Sequence, residues 1–479
     1  MLNILKKYFL ILLICASAAI AVEQGGIEIA GFDKITAIDP NLTGEGVSIG
    51  LVCRSDTYSD NFPRNDYRPD VKHKCLKDGK IKFFDDQFEQ AGISQHSTKI
   101  ASILVGVDVN AFYPEIGNFS YRSASPEAQL NVYEFWHFIT ENVFTGVLPK
   151  DDLLTMSLGS SCESWWSRGI DVMAERYGLL VVAAIGNGTD AYDLSLYPAA
   201  GANVLAVGVA DSNNSLAEIN APLAEHSTAG PTHDGRCKPD VVAGGNCIIA
   251  NNDVNEPYKA SGDYSSFAAP VVTGLASILI QKAKSEPNLA IAASGFSGNC
   301  VMKSILMTSA VKLPGWHKGF ADANDDFEYP LDFKQGAGMV DGLGAYNLLV
   351  AGMQKEGQVG QSGWDLERIE AQSVVEKIYR FQTNEEGVFA ATVVWNRSYQ
   401  QKYPFNLNID SWNDLQLTLR KIDADGNVIL IDYSDSPIDN VEHIYKNLEA
   451  NTVYELAVSN SSTGQSKAET TYAISWQMK

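Results

Sequence analysis

Residues 179–188 read Leu-Leu-Val-Val-Ala-Ala-Ile-Gly-Asn-Gly, a continuous apolar run that ends in a glycine-rich turn. Such a run predicts a strand buried on both faces, as in a parallel sheet covered by helices. Similar apolar runs occupy 47–52, 130–135, 153–156 and 204–208, and helix-like stretches such as 98–105 and 169–177 lie between them. Alternating strands and helices predict an α/β domain, doubly wound around a mostly parallel sheet.

The pattern changes near residue 355, where Lys-Glu-Gly-Gln-Val-Gly-Gln-Ser-Gly is polar and rich in glycine, as in a linker. Beyond it, apolar and polar residues alternate in short runs, and Asp425-Gly426 between two of them predicts a tight hairpin. We therefore predict a smaller all-β sandwich domain. The expected organisation is a signal peptide at 1–21, an α/β domain at 22–354, a linker at 355–364 and the β-sandwich at 365–479.

The first residues are typical of a secretory signal peptide. Lys6 and Lys7 precede a short apolar run, and Ala19-Ile20-Ala21 is a small-residue cleavage site. We expect cleavage after Ala21 and a secreted or extracytoplasmic protein. No later stretch reaches the roughly 20 apolar residues of a spanning helix, so no membrane span is expected after cleavage. The short distance to the first core strand leaves no room for an inhibitory prodomain, and none is predicted.

Composition excludes some partners. The formal net charge is -22 and the pI is near 4.7, which argues against nucleic acid binding, since phosphate binding needs clustered Lys and Arg. Of the seven cysteines, Cys15 lies in the signal peptide, and the other six could pair in several ways if the protein is exported. No C-x-x-C pattern occurs, so no zinc or redox site is predicted. We expect a monomer that acts on a protein or peptide substrate.

Four segments carry candidate groups for amide hydrolysis, which needs a nucleophile, a base, a group that orients the base and donors for an oxyanion. Ser266 leads into a helical stretch with Pro270 in its expected first turn, although an ordinary serine N-cap would look the same. His96 precedes an apolar helix, where a cap or surface histidine is the simpler interpretation. Asn187 ends the buried strand at the sheet edge. Its side chain fits two roles there, as an amide donor to an oxyanion or as an ordinary turn residue. Ser157, Leu158 and Gly159 end another strand, where a substrate backbone could pair.

Taken together, these segments resemble the subtilisin-like serine proteases. The family's H-G-T-H-V-A-G corresponds to His96-Ser-Thr-Lys-Ile-Ala-Ser, and its G-T-S-M-A-x-P to Tyr264-Ser-Ser-Phe-Ala-Ala-Pro. Its A-A-G-N corresponds to Ala184-Ile-Gly-Asn, its S-L-G to Ser157-Leu-Gly, and its D-G-R-x-K-P-D to Asp234-Gly-Arg-Cys-Lys-Pro-Asp. The resemblance covers about 32–352. It implies a serine endopeptidase in which Ser266 attacks the scissile carbonyl, His96 transfers the proton and Asn187 holds the oxyanion.

The orienting acid departs from the family pattern, in which an aspartate ends the first strand. A gapless comparison puts Cys53 in that place, and the next carboxylates are Asp56 and Asp60. Three extended residues span roughly 10 Å, so Asp56 reaches the position only if the chain bulges back. We predict Asp56, with Asp60 as the alternative, and a third possibility is that no acid fills the position. Tyr264 also replaces the family's usual glycine.

Two further alternatives remain open. The acidic loop at 322–328 has oxygen-bearing side chains at Asp322, Asn324, Asp326 and Glu328, so calcium is an open choice as a structural ion, although a solvated loop is the favoured interpretation. The competing function is a catalytically weak or inactive subtilisin-like scaffold that acts as an extracellular binding or adhesion protein. A cell-surface carbohydrate-binding protein is a third hypothesis, which the five ordered motifs disfavour.

Overall fold

The structure is a computed structural model that describes residues 25–55, 58–59, 62–63, 66–76, 79–85, 91–160, 164–188, 195–293, 295–461 and 466–479, with only the backbone of 58, 59, 62, 63 and 164. The predicted signal peptide lies outside these residues. The described strands before residue 300 are β1 (Ser48–Cys53), β2 (Tyr58–Ser59), β3 (Phe62–Pro63), β4 (Asp66–Arg68), β5 (Ile81–Phe84), β6 (Gly92–Ile93), β7 (Val107–Tyr113), β8 (Gly117–Arg122), β9 (Gln129–Glu134), β10 (Leu153–Met156), β11 (Leu180–Ala184), β12 (Leu205–Ala210), β13 (Val241–Gly244), β14 (Ile248–Ala250) and β15 (Tyr258–Ala260).

The described helices lie in the same part of the chain and just after it. They are α1 (Gly26–Ile29), α2 (Phe32–Ile38), α3 (Gln95–Val105), α4 (Phe135–Phe138), α5 (Ser164–Tyr177), α6 (Ser265–Ser285), α7 (Gly298–Ser309) and α8 (Gly342–Ala351). A π-helical segment, Ile139–Phe144, follows α4, and short 3₁₀ turns cover Ala290–Ala292 and Ile409–Ser411.

Seven strands form the central sheet, in the order β13-β12-β11-β10-β1-β9-β5, and every neighbouring pair is parallel. β11 is buried along its whole length. Val182 and Ala184 pack into one core with α3 and α6, whereas Val181 and Ala183 pack into a second core with α5. A strand with apolar residues on both faces thus has a helix layer on each side. The predicted doubly wound α/β fold is confirmed.

Parallel strands bring their carboxyl ends to one edge of the sheet. At this edge β1 ends at Cys53, β10 ends directly before Ser157, and β11 ends three residues before Asn187. Segments far apart in the sequence therefore meet here, and α6 begins beside them because Ser157 contacts Ser266. This edge is where the candidate site lies.

Helix α6 is the long core helix of the first domain. With 21 residues and a mean hydropathy of 1.3 it is, in the described ranges, the one helix long and apolar enough to cross a membrane. In the structure 83% of its most apolar window is buried inside the protein. A buried core helix passes the same test of length and hydropathy, so α6 carries no indication of a membrane span.

The strands after residue 354 form two facing sheets. They are β16 (Gly357–Gln358), β17 (Ser362–Ile369), β18 (Lys377–Gln382), β19 (Gly387–Trp395), β20 (Leu415–Ile422), β21 (Val428–Ser434), β22 (Val441–Leu448), β23 (Val453–Asn460) and β24 (Thr470–Met478). The sheet orders are β16-β18-β23-β20-β21 and β17-β24-β19-β22, and all pairs except β16–β18 are antiparallel. Phe381 and Leu417 from one sheet share a core with Phe389 and Ile474 from the other. The predicted β-sandwich is confirmed.

The predicted hairpin lies between β20 and β21. Gly426 has a φ of 84°, and the Asp423 N–H donates to Asn427 O at 3.0 Å. Residues 355–364, predicted to be a linker, contain β16 and the start of β17. The exact domain boundaries stay a prediction.

The sandwich packs against α7 of the first domain. The Thr308 hydroxyl of α7 lies 2.7 Å from the hydroxyls of both Thr392 and Ser475, which belong to β19 and β24. The Lys479 ammonium donates to the Ala310 carbonyl at 2.6 Å at the carboxyl end of α7. Trp364 is fully buried in the core of the first domain. Polar and apolar contacts therefore join the two domains.

The cysteines in the described residues are Cys53, Cys75, Cys237, Cys247 and Cys300, and no two of these form a disulfide with each other. All five are buried. Burial raises the pKa of the Cys75, Cys247 and Cys300 thiols to about 12, so they stay protonated at neutral pH. They therefore act as small core side chains. Cys162 lies outside the described residues.

Candidate active site

Ser266 is the second residue of α6. The helix begins at Ser265, with Tyr264 as its N-cap in an extended conformation (φ −134°, ψ 135°). The prediction that Pro270 falls in the first turn is wrong, because the helix begins before Ser266 and Pro270 lies in the second turn. Ser266 is half-buried, and its N–H is among the first of the helix, which have no acceptor within the helix. This end of the helix dipole favours negative charge.

Pro270 leaves the Ser266 carbonyl without its usual helical donor, and Ser157 supplies another donor. In an α-helix the N–H of residue 270 would donate to the carbonyl of residue 266, but proline has no N–H. The Ser157 hydroxyl donates to Ser266 O at 2.8 Å instead. The end of β10 is thus hydrogen-bonded to the backbone of the candidate nucleophile.

Asn187 is held by the residue before Ser266. Its Oδ1 accepts hydrogen bonds from the Ser265 N–H at 3.0 Å and from the Ser265 hydroxyl at 2.9 Å. The Gly186 N–H donates to the same hydroxyl at 3.2 Å, which fixes its orientation. Because the oxygen of the amide accepts from Ser265, Nδ2 is the atom of this side chain that would donate beside the start of α6. The sequence did not identify Ser265; its place directly before the nucleophile was the signal.

The turn around Asn187 needs its glycines. Gly186 has a φ of 121° and Gly188 a φ of 56°, and a Cβ on Gly188 would lie 1.9 Å from Ala224 O. The Gly188 N–H also donates to the Thr228 hydroxyl at 3.1 Å. The Gly-Asn-Gly sequence is therefore a turn that also presents the asparagine amide. The turn role and the amide-donor role of Asn187 are therefore compatible.

His96 is the second residue of α3, whose N-cap is Ser94. The Ser94 side chain accepts from the Ser97 N–H at 3.0 Å, so Ser94 rather than His96 caps the helix. The half-buried imidazole of His96 lies with its ring centroid 6.1 Å from that of Phe267, the residue after Ser266. The packing of α3 on α6 thus brings His96, the candidate base, next to Phe267, which follows the candidate nucleophile.

The acid side of the site is the end of β1, where the family resemblance implies the orienting carboxylate. Asp56 and Asp60, the two candidate acids, lie outside the described residues. Cys53 ends β1, is 4% exposed and is in register with Glu134 of β9. The sequence also did not single out Asp66 of β4, which accepts a hydrogen bond from the Ser55 hydroxyl.

Asp66 also lies close to the start of α3. Its strand β4 pairs with β6, and Asp66 is in register with Gly92, four residues before His96. This carboxylate therefore sits between the residue that precedes Asp56 and the helix that carries the candidate base.

The candidate substrate strand follows β10. Leu158 and Gly159 make no backbone hydrogen bond with another residue of the described ranges, whereas Ser160 exchanges backbone hydrogen bonds with Tyr197 at 3.0 and 2.9 Å. Within the described ranges, the backbone groups of Leu158 and Gly159 are thus unpaired next to Ser157, as strand addition by a peptide requires.

The candidate calcium ligands of the acidic loop at 322–328 lie at the surface. Within the described ranges, the group of three or more His, Cys, Asp or Glu side chains that converges on a common point is Asp211, His226 and Asp263, not Asp322, Asp326 and Glu328. The latter three side chains and Asn324 are exposed or nearly so. Calcium thus stays an expectation from the sequence.

The sequence matches the profile of the subtilase family, peptidase S8, over residues 58–338, more than half of its 479 residues. The chain belongs to the subtilase family. The match includes His96, Asn187 and Ser266, and it begins two residues beyond Asp56. This subtilase therefore matches its family on the side of the nucleophile, while the candidate acid precedes the matched range.

Relatives of this subtilase share part of its length. Serine protease AprX of Bacillus subtilis is 28% identical over 283 residues, 50% of this chain and 58% of that protein. Subtilisin-like protease SBT6.1 of Arabidopsis thaliana is 28% identical over 267 residues, 53% of this chain and 22% of its own length. This chain thus spans between about a fifth and three fifths of these two relatives.

Among solved structures, the serine protease of Aeromonas sobria aligns with 91% of this chain and 88% of its own. Its TM-score is 0.46 and its identity 10%, a similarity too low to carry an inference.

Proposed function

We propose that this subtilase is an exported serine endopeptidase that hydrolyses peptide bonds through an acyl-enzyme. Ser266 is the nucleophile, His96 the base that takes its proton and returns it to the leaving amine, and Asp56 the carboxylate that orients the imidazole. The substrate is a protein or peptide, and its backbone pairs along Ser157, Leu158 and Gly159. The enzyme works as a secreted or extracytoplasmic monomer after cleavage following Ala21, with domain boundaries at 22–354 and 365–479.

The observation that carries this proposal is the hydrogen bonding of Asn187. Its Oδ1 accepts both hydrogen bonds from Ser265, so its Nδ2 is the atom that would donate to an oxyanion next to the N-terminus of α6. When Ser266 Oγ attacks, the scissile carbonyl oxygen becomes an oxyanion, and it would then accept hydrogen bonds from the Asn187 amide and the Ser266 N–H. Ser266 is not the N-cap, since that position belongs to Tyr264, so an ordinary serine cap does not account for this arrangement.

A fluorophosphonate probe tests the proposal, because it reacts only with an activated serine. We expect the full chain to become labelled at Ser266, as mass spectrometry of the labelled peptide would show, and to cleave casein. Ser266→Ala and His96→Ala should abolish both signals. Ser285→Ala removes an exposed hydroxyl at the other end of α6 and should leave labelling unchanged.

The competing function is an inactive or weak subtilisin-like scaffold that binds peptides or surface partners. The observation that favours it is Cys53, a buried thiol at the end of β1 where the family resemblance implies an aspartate. If the correctly folded chain fails to react with the probe, the scaffold becomes the better description and the endopeptidase proposal fails.

A further inference from the structure

Three potential metal ligands converge near the start of α6. Asp211 directly follows β12, His226 lies in the next loop, and Asp263 lies three residues before Ser266. One ligand atom from each lies within 4.8 Å of the others, and His226 Nδ1 is 3.7 Å from Asp211 Oδ1. Three separate segments of the chain thus aim donors at one point.

Two of these donors are buried without a hydrogen-bond partner. Asp263 is only 5% exposed, and its Oδ2 accepts from the Ser212 N–H at 3.0 Å and the Ser212 hydroxyl at 2.9 Å, whereas its Oδ1 has no hydrogen-bond partner among the described residues. His226 Nδ1 is also buried and unpartnered, since 3.7 Å to Asp211 is too long for a hydrogen bond. Leaving buried polar atoms unsatisfied is costly, and this calls for a ligand.

The electrostatics of the cluster point to a cation. Asp263 is buried beside the Asp211 carboxylate, and one oxygen of each lies within 4.8 Å of the other. Two carboxylates that face each other in a partly dry site repel, and a bound cation removes that repulsion. A positive ion would also complete the coordination of the unpartnered Asp263 oxygen.

The backbone around the cluster is held in place before any ion binds. Asp211 exchanges backbone hydrogen bonds with Asn220 at 3.2 and 2.7 Å, and the His226 N–H donates to Leu223 O at 3.0 Å. Asp263 is anchored by Ser212, the neighbour of Asp211. The ligands are therefore supported by hydrogen bonds of their own segments, as preorganised metal sites require.

We propose that Asp211, His226 and Asp263 form a binding site for a divalent transition-metal ion of the zinc class. An imidazole with two carboxylates suits such an ion, whereas Ca²⁺ and Mg²⁺ prefer all-oxygen sites. Zinc–ligand distances of about 2.0–2.2 Å put tetrahedral ligand atoms about 3.4 Å apart. The side chains must close by roughly 1 Å, and water supplies the fourth ligand.

The site has a structural consequence for this subtilase that does not depend on its activity. The ion would tie the loop after β12 to the segment that enters α6, three residues before Ser266. Because the ion binds the folded state, it should raise the unfolding temperature as its concentration increases.

Calorimetric titration of the full chain with Zn²⁺ tests the proposal. The measurement is made in the His96→Ala background, so that the candidate catalytic imidazole cannot bind the metal. We expect one equivalent of Zn²⁺ to bind and Ca²⁺ to bind far more weakly. Asp263→Asn and His226→Gln should each lower the Zn²⁺ affinity at least about 10-fold, since loss of even an outer-shell partner costs about 10–100-fold.

His233→Ala is the matched control, because His233 is an exposed histidine seven residues from His226. It should leave the affinity unchanged. His226 is 36% exposed at its side chain, so its variant decides the question even if Asp263→Asn fails to fold. Absence of binding, or an equal affinity of the His226→Gln and His233→Ala proteins, would overturn the proposal.

Co²⁺ absorption identifies the ligands. Nitrogen and oxygen ligands give only weak visible bands, and we expect those bands to disappear in His226→Gln. A strong near-ultraviolet thiolate band would instead assign the metal to a cysteine and overturn the site.

Discussion

The nucleophile side and the acid side of the candidate site lie at the same edge of the same parallel sheet, yet they differ in how they are constrained. On the nucleophile side, Ser157 donates to the Ser266 carbonyl, and Asn187 accepts from the N–H and the hydroxyl of Ser265. On the acid side, β1 ends in a buried cysteine, and the family match starts only at residue 58.

The difference has a physical origin. An oxyanion site needs a helix N-terminus, a turn of defined φ and a fixed amide, so each residue type is set by backbone geometry. An orienting acid needs only one carboxylate oxygen near the imidazole. A loop can supply that oxygen from more than one position along the chain, so the residue type at the end of β1 is less constrained.

The largest effect is expected at the nucleophile. Ser266→Ala should lower kcat by about 10⁶, because removal of the serine removes the acyl-enzyme route. The measurement is peptide hydrolysis under single-turnover conditions, with circular dichroism to confirm folding. A residual rate within 100-fold of the parent would mean that another residue carries the chemistry, and the nucleophile side would lose its assigned role.

The acid side is tested next. Asp56→Asn should lower kcat by about 10⁴, the size of effect found when only the orienting acid of such a triad is lost. Asp60→Asn and Asp66→Asn serve as matched carboxylate-to-amide variants and should each change kcat by less than about 10-fold. A loss confined to Asp66→Asn or Asp60→Asn would move the acid to that residue. If all three variants keep parent activity, the site works without an acid.

Asn187→Ala should lower kcat by about 10²–10³, the cost of one oxyanion-hole donor. Ser265→Ala should have a smaller effect, about 2- to 10-fold, because it removes one hydroxyl hydrogen bond to Asn187 Oδ1 while the Ser265 N–H bond remains. Both should act on kcat with little change in KM. An effect of Ser265→Ala that persists in the Asn187→Ala protein would contradict the idea that Ser265 acts through Asn187.

The smallest effect concerns stability. Ser157→Ala leaves the Ser266 carbonyl without its side-chain donor and should lower the free energy of unfolding by about 1–3 kcal/mol in denaturant titrations. In a Pro270→Ala background the new N–H of residue 270 can bond to that carbonyl. The same Ser157→Ala change should then cost less than about 1 kcal/mol. Equal costs in the two backgrounds would refute the link between Ser157 and Pro270.

Much of the fold could be predicted because its patterns are local. Apolar runs buried on both faces identified β10, β11 and β12, and the Asp-Gly pair identified the hairpin after β20. The start of α6 was misplaced by two residues, since the extended Tyr264, and not Ser266, is the N-cap of the helix.

The sequence by itself determined the family, the two fold classes and the identity of the candidate nucleophile, base and amide, because motif order and apolar periodicity are encoded along the chain. Only the tertiary structure decided that Ser265 holds Asn187, that Ser157 replaces the donor Pro270 lacks, and that Asp211, His226 and Asp263 meet. Each of these contacts joins residues distant in sequence, and the parallel sheet brings them together at one edge. Such a contact depends on the distance in space between two groups, and the spacing of residues along the chain does not give that distance.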